Sequence, residues 1–139
     1  ARPVGRAAAR AAEALEMARS MTHRLDGVLA AGAPAETDLV PIARRIEQAN
    51  GHLVHRLRDA DASLLGYATL PDPDTRTSRL ELLRTEARTI AAAADALDGT
   101  AHLLRWIEAC PWSPTRSDAL GRLRTDLDSV ERLIAAPAE

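Results

Sequence analysis

The strongest constraint on this chain is a run of apolar residues in its third quarter. Leu80, Leu83, Ala87, Ile90, Ala94, Leu97, Ala101 and Leu104 succeed one another at steps of 3, 4, 3, 4, 3, 4 and 3. That is the a/d seam of a helix covered on one side along its whole length. The seam passes Gly99 without a change of step, so the spacing predicts one helix over residues 78–109 rather than two. At 1.5 Å per residue it is about 48 Å long. Only other helices of comparable length can bury such a seam, and the rest of the sequence supplies them.

Residues 3–31 carry Val4, Ala8, Ala11, Leu15, Ala18, Thr22, Leu25 and Leu29 at the same alternating steps, with Met17, Met21 and Val28 widening the stripe. Pro3 suits a first helical turn, and Gly32 followed by Pro34 is a stop signal. Residues 38–66 form a second helix, with Leu39, Ile42, Ile46, Ala49, Leu53, Leu57, Ala60 and Leu64 as its seam. Thr37 or Asp38 is expected to cap it, and Pro41 is tolerated in its first turn. Gly51 in its interior costs about 1 kcal/mol relative to Ala, which points to close approach by a neighbouring element. Residues 67–77, with Pro71-Asp72-Pro73-Asp74, read as a loop. Ser78-Arg79-Leu80-Glu81 reads as a capping box opening the third helix, and Pro111 stops it. Ser117 or Asp118 then starts a shorter helix over residues 117–136, with Leu120, Leu123, Leu127, Val130 and Ile134 as its seam.

These four segments predict an all-α, antiparallel up-down-up-down four-helix bundle forming a single domain over residues 1–139, three helices long and the fourth shorter. Composition agrees. Aromatics make up 2% of the chain and Phe is absent, so the core is built from Leu, Ala, Ile and Val, which suits close helix packing. The fourth helix, roughly 30 Å long, falls short of the third. The end around residues 78–89 is expected to be either a compact three-helix stump or an interface, the stump being preferred.

Every one of the 18 basic residues is Arg, which together with the abundance of Ala points to a high-GC bacterial genome. The net charge is −2 with acids and bases interspersed, so no concentrated basic face marks the chain as a nucleic-acid binder. Arg2, Arg6 and Arg10 share one face of the first helix, read as a solvated face in preference to an anion-binding stripe. Cys110 is the only cysteine, which excludes an internal disulfide and suggests a reducing compartment. No apolar run approaches the ~20 residues of a membrane span. The first twelve residues lack the apolar stretch of a secretory signal, so a cytoplasmic protein without membrane attachment is expected.

Few residues invite chemistry. The sequence has no Gly-rich phosphate loop, no His-Glu-x-x-His, no Gly-x-Ser-x-Gly and no Glu-x-x-His of the di-iron bundles. No catalytic residue, cofactor or resident metal is assigned from these patterns. His52, His55 and Asp59 are a weak candidate for one divalent cation on a helix face. His23 and His102 fall just past seam positions and should point outward. Cys110 reads as a small buried residue because no His adjoins it. Trp106 and Trp112 flank Cys110 as the only aromatic cluster, expected to plug the end of the bundle, with a binding anchor as the sharper alternative.

His55-Arg56-Leu57-Arg58 followed by Leu64-Leu65-Gly66-Tyr67 resembles the phosphoacceptor region of sensor histidine kinases. In that family a helix carries His-Glu-Leu-Arg-Thr-Pro and ends around Leu-Gly-Tyr. The likeness covers residues 50–104, the part corresponding to the family's dimerisation and phosphoacceptor hairpin. Arg56 stands where the family has its acidic catalytic residue, Asp59 replaces Thr, and Ala60 replaces Pro. The resemblance therefore implies a degenerate signalling hairpin that has lost autokinase activity, in which His55 accepts or relays phosphate.

The leading expectation is a non-catalytic interaction or regulatory module whose partner is a protein, with contact regions at Trp106 and Trp112 and, at the other end, near Arg79. Histidine phosphotransfer through His55 is the alternative. A small-ligand pocket inside the bundle ranks last, since Leu/Ala seams offer few polar groups to orient a ligand. The shortfall of the fourth helix also leaves room for a homodimer.

Overall fold

A computed structural model describes residues 3–135. It contains helices α1 (Pro3–Leu29), α2 (Val40–Gly66), α3 (Pro73–Ala109) and α4 (Arg116–Ala135), with a short 3-10 turn at Tyr67–Thr69 and no strand among the described residues. The expected all-α four-helix bundle is present. α3 touches all three other helices and α2 does the same, whereas α1 and α4 share no contact among the described residues. The bundle is thus a rhombus in section, with α2 and α3 across its short diagonal and α1 and α4 at its far corners.

Side-chain ties fix how the helices run. Arg19 of α1 reaches Asp61 of α2 at 2.7 Å, and Asp26 accepts from Asn50 Nδ2 at 2.8 Å, so numbering rises along α1 as it falls along α2. α1 and α3 run in the same sequence direction. Ala7 and Arg10 border a depression with Leu80 and Arg88, and Arg105 near the end of α3 donates to the Gly32 carbonyl just beyond α1 at 2.6 Å. Ala11 and Ala18 on α1 and Ala87, Ala94 and Ala101 on α3 are all buried. Small side chains on both surfaces let two helix axes approach closely.

Every residue of the predicted α3 seam, from Leu80 to Leu104, is buried, and Ala93, Thr100 and Ile107 widen it. Leu80 and Leu83 are buried although the described part of α4 ends level with Glu86, where the Ile134 carbonyl meets Arg56. Among the described residues, that end is surrounded by α1, α2, α3 and the turn after α2. Met17, expected in the α1 stripe, is instead more than half exposed. At 100° per residue the position stands well outside the arc spanned by buried Ala11, Leu15, Ala18 and Leu25.

The helix starts differ from expectation for an identifiable reason. α3 begins at Pro73, five residues before the proposed capping box, and Ser78 lies within the helix. Asp72 is the actual cap: its Oδ1 accepts from the Thr75 backbone N–H at 2.8 Å and its Oδ2 from the Thr75 hydroxyl at 2.7 Å. Pro73, which reads as a breaker, occupies the one helical position where its missing N–H costs nothing. α2 begins at Val40, two residues later than expected, with no side-chain cap. Asp38 and Glu36 are engaged by Arg116 at the start of α4 instead. α4 starts at Arg116, so Ser117 and Asp118 lie in its first turn. α1 ends at Leu29 rather than 31, where Gly32 takes φ +93° and its N–H closes onto the Leu29 carbonyl at 3.2 Å. Of the expected residues, Arg2 and position 136 lie outside those described.

A Cβ at Gly51 would meet nothing within 4 Å, so the expected close neighbour is absent and only the entropic cost of glycine remains. Gly51→Ala should raise stability by about 0.5–1 kcal/mol, read as a higher urea midpoint with an unchanged slope. The Asp72 carboxyl is held below its ordinary value of 3.8, first by the Thr75 backbone N–H and then by the Thr75 hydroxyl. A lowered folded-state pKa contributes stability that is present above the unfolded value and is lost as pH falls through the folded one. Asp72→Ala should therefore lower the melting temperature at pH 7, and the gap to the parent chain should close as the pH falls below 3.8.

Candidate functional site

The exit of α3 is a tight turn. The Cys110 N–H donates to the Trp106 carbonyl at 3.0 Å, the Ser113 N–H to the Cys110 carbonyl at 3.2 Å, and the Arg116 N–H to the Ser113 carbonyl at 3.1 Å. Pro111 and Pro114 hold this path and carry Trp112 outward. Trp112 is 81% exposed and Trp106 42% exposed, so the expected hydrophobic plug is not formed. The reason is legible in the helix itself: Trp106 sits two residues past Leu104, off the seam, and Trp112 lies beyond the last helical residue. Cys110 is a free thiol, partly rather than fully buried.

Trp106 forms one wall of a groove between α3 and α4. Leu103, Thr115, Asp118, Ala119 and Arg122 complete it, enclosing about 390 Å³. Leu103 and Arg122 also border a second depression of similar volume that continues along the same two helices past Gly99 and Thr100 to Val130. The result is a long furrow with apolar walls and a charged rim, where Arg122 Nε stands 3.5 Å from Asp126 Oδ2. Arg79 lies 27 residues back from Trp106 along α3, roughly 40 Å away at 1.5 Å per residue. It is exposed beside Ser63, Gly66, Tyr67 and Leu70, so the two expected contact regions occupy opposite ends of the molecule.

His55 projects from α2 with 77% of its side chain exposed, its Nε2 3.5 Å from Asp59 Oδ2. His52 turns elsewhere, lining a depression with Arg45, Gln48 and Glu131 between α2 and α4. Among the described residues no group of three His, Cys, Asp or Glu side chains could hold a metal ion. The candidate trio His52, His55 and Asp59 is therefore not assembled, because His52 and Asp59 are two helical turns apart, about 10.5 Å along the axis. His23 and His102 both face outward as expected, His102 Nδ1 donating to the Asp98 carbonyl at 2.8 Å.

Arg56, which departs from the kinase pattern, has a structural part the sequence did not disclose. Its Nε donates to Glu86 Oε2 at 2.9 Å, Nη2 pairs with Glu86 Oε1, and Nη1 donates to the Ile134 carbonyl at 2.8 Å. One guanidinium thereby joins α2, α3 and α4, and its hydrogen bonds to Glu86 raise its pKa further. Arg45 makes a similar tie to Glu131 and Asp128, and Arg116 to Glu36 and Asp38.

No helix among the described residues is long and apolar enough to cross a membrane. No family model, curated protein or solved structure matches this chain, so its functional reading rests on the surfaces just described.

Proposed function

We propose that this chain is a non-catalytic interaction module that docks a protein partner through the Trp106–Trp112 end, working in the cytoplasm, where a single cysteine stays reduced. One observation carries the reading. The chain has only three aromatic residues, and both tryptophans lie on the surface, Trp106 lining a furrow that α3 and α4 leave open and Trp112 on the turn that joins those two helices. Tryptophan is ordinarily much buried, and exposed tryptophans beside a groove are the side chains that most often anchor an interface. Arg79 at the far end is a second contact point that would let the module bridge two partners or two copies of itself.

The test is a photo-crosslinking residue placed at position 112 in producing cells, followed by calorimetry with the captured protein. Trp112→Ala and Trp106→Ala should each weaken that complex by tenfold or more. Full affinity after both changes and after Arg79→Ala would overturn the proposal.

Phosphotransfer remains the second reading, favoured by the open position of His55 beside Asp59. Incubation with phosphoramidate should then yield an acid-labile phosphate that is lost in His55→Ala. No labelling, with the parent chain folded, would count against it.

A further inference from the structure

Arginines with a carboxylate partner and arginines without one, Arg44 and Arg58 among the latter, both occur among the described residues. Arg19, Arg45, Arg56, Arg105, Arg116 and Arg122 each face a carboxylate. Arg10, Arg84 and Arg88 have no carboxylate within 4.0 Å among the described residues, yet all three line a single cleft of about 210 Å³. Arg84 and Arg88 stand one turn apart on α3, and Arg10 comes from α1. They converge because α1 and α3 run in the same direction and so present their opening turns side by side. Ala7 and the buried Leu80 give the cleft its apolar part, and Thr85 and Glu81 complete it.

Like charges one turn apart on a helix work against the fold. Arg84 is, moreover, drawn partly out of water with no carboxylate within 4.0 Å, Glu81 of the same cleft standing farther off. Nothing in the bundle's packing needs this arrangement, since Leu80, Leu83 and Ala87 already supply the buried face of that stretch. An oxyanion bound in the cleft would turn the repulsion into attraction, and guanidinium forks match a phosphate two bonds at a time. We propose that the Arg10–Arg84–Arg88 cleft binds a phosphate group, carried by a small hydroxylated monoester or present as the free ion. Glu81 defines the ligand further. Its carboxylate repels a second negative group but accepts a hydrogen bond from a hydroxyl on the carbon skeleton, while the Thr85 hydroxyl can donate to the phosphate. The cleft thus takes one phosphate with a short polar remainder.

The experiment titrates the full chain with inorganic phosphate and with glycerol phosphate, against sodium chloride at equal ionic strength, following melting temperature and heat of binding. Both phosphates should raise the melting temperature saturably, as a ligand selective for the folded state must. Arg84→Gln and Arg88→Gln should each weaken binding about tenfold, and Glu81→Gln should tighten inorganic phosphate. Arg44→Gln and Arg58→Gln, at exposed sites on α2, should change neither. Tighter binding of glycerol phosphate identifies the monoester as the ligand, and equal binding identifies the free ion. The proposal is overturned if phosphate and chloride give the same melting curve at matched ionic strength. It is equally overturned if binding survives the loss of both Arg84 and Arg88 in variants with unchanged helical circular dichroism.

Discussion

Leu97→Ala should lower the unfolding free energy by about 3–4 kcal/mol. Leu97 is fully buried in the second half of α3, a helix that meets every other one. Truncation there removes the transfer free energy of three carbons and leaves a void that the packed helices around α3 can close only in part. A domain of this size is stable by about 5–15 kcal/mol, so the loss is a large share of the total. Urea unfolding should show it as a lower midpoint with an unchanged slope. Leu82, on the same helix but half exposed, is the internal comparison. Its replacement by Ala should cost less than about 0.5 kcal/mol, as surface changes usually do. Similar losses at the two positions would mean that the α3 seam is not the centre of the core.

Arg56→Ala has the second large expected effect, a loss of about 3 kcal/mol. Its side chain and that of Glu86 are 17% and 18% exposed, so removing the guanidinium strands a carboxylate largely out of water. The Ile134 carbonyl loses its donor as well. Most of that cost arises from the partner left behind rather than from the attraction itself, so the double replacement Arg56→Met with Glu86→Leu should recover most of the stability. The contrast is Arg19, which pairs with Asp61 and Glu16 but is 45% exposed. Water and salt screen that cluster, and Arg19→Ala should cost less than about 1 kcal/mol. If Arg56→Ala costs no more than Arg19→Ala, the three-helix tie is not a structural element.

The helices were legible because burial along each is periodic. The α3 seam could be read residue by residue, and the α2 seam was buried from Leu39 to Ala60. Where the reading failed, a polar side chain had two uses and the sequence displays only one. Asp38 has the chemistry of a cap but meets Arg116 instead, and Asp72 beside a proline looked like loop while closing the first turn of α3. Gly51 looked like a close-packing residue because glycine in a helix ordinarily has a reason, and here the structure offers no neighbour. The surface sites were harder. Trp106 could have been placed outside by its offset from Leu104, whereas the meeting of Arg10 with Arg84 and Arg88 depends on two helices running side by side in the same direction. Residues some 75 positions apart carry no mark of that in the sequence.

The rhombic section also decides how the molecule can come apart. α4 contributes only Leu123, Leu127 and Val130 to the fully buried set, and its remaining attachment to α2 runs through Arg45, Arg56 and Arg116. Because α4 does not meet α1 among the described residues, it can swing away while the alanine-lined contact between α1 and α3 stays shut. Its amides should then exchange with solvent through an opening smaller than global unfolding, one that salt makes easier by weakening the part-exposed pairs of Arg45 with Asp128 and Glu131. The Trp106 furrow has α4 for one of its walls. Whatever seats itself there also latches the least anchored helix, so occupancy of the surface and rigidity of the bundle become a single equilibrium.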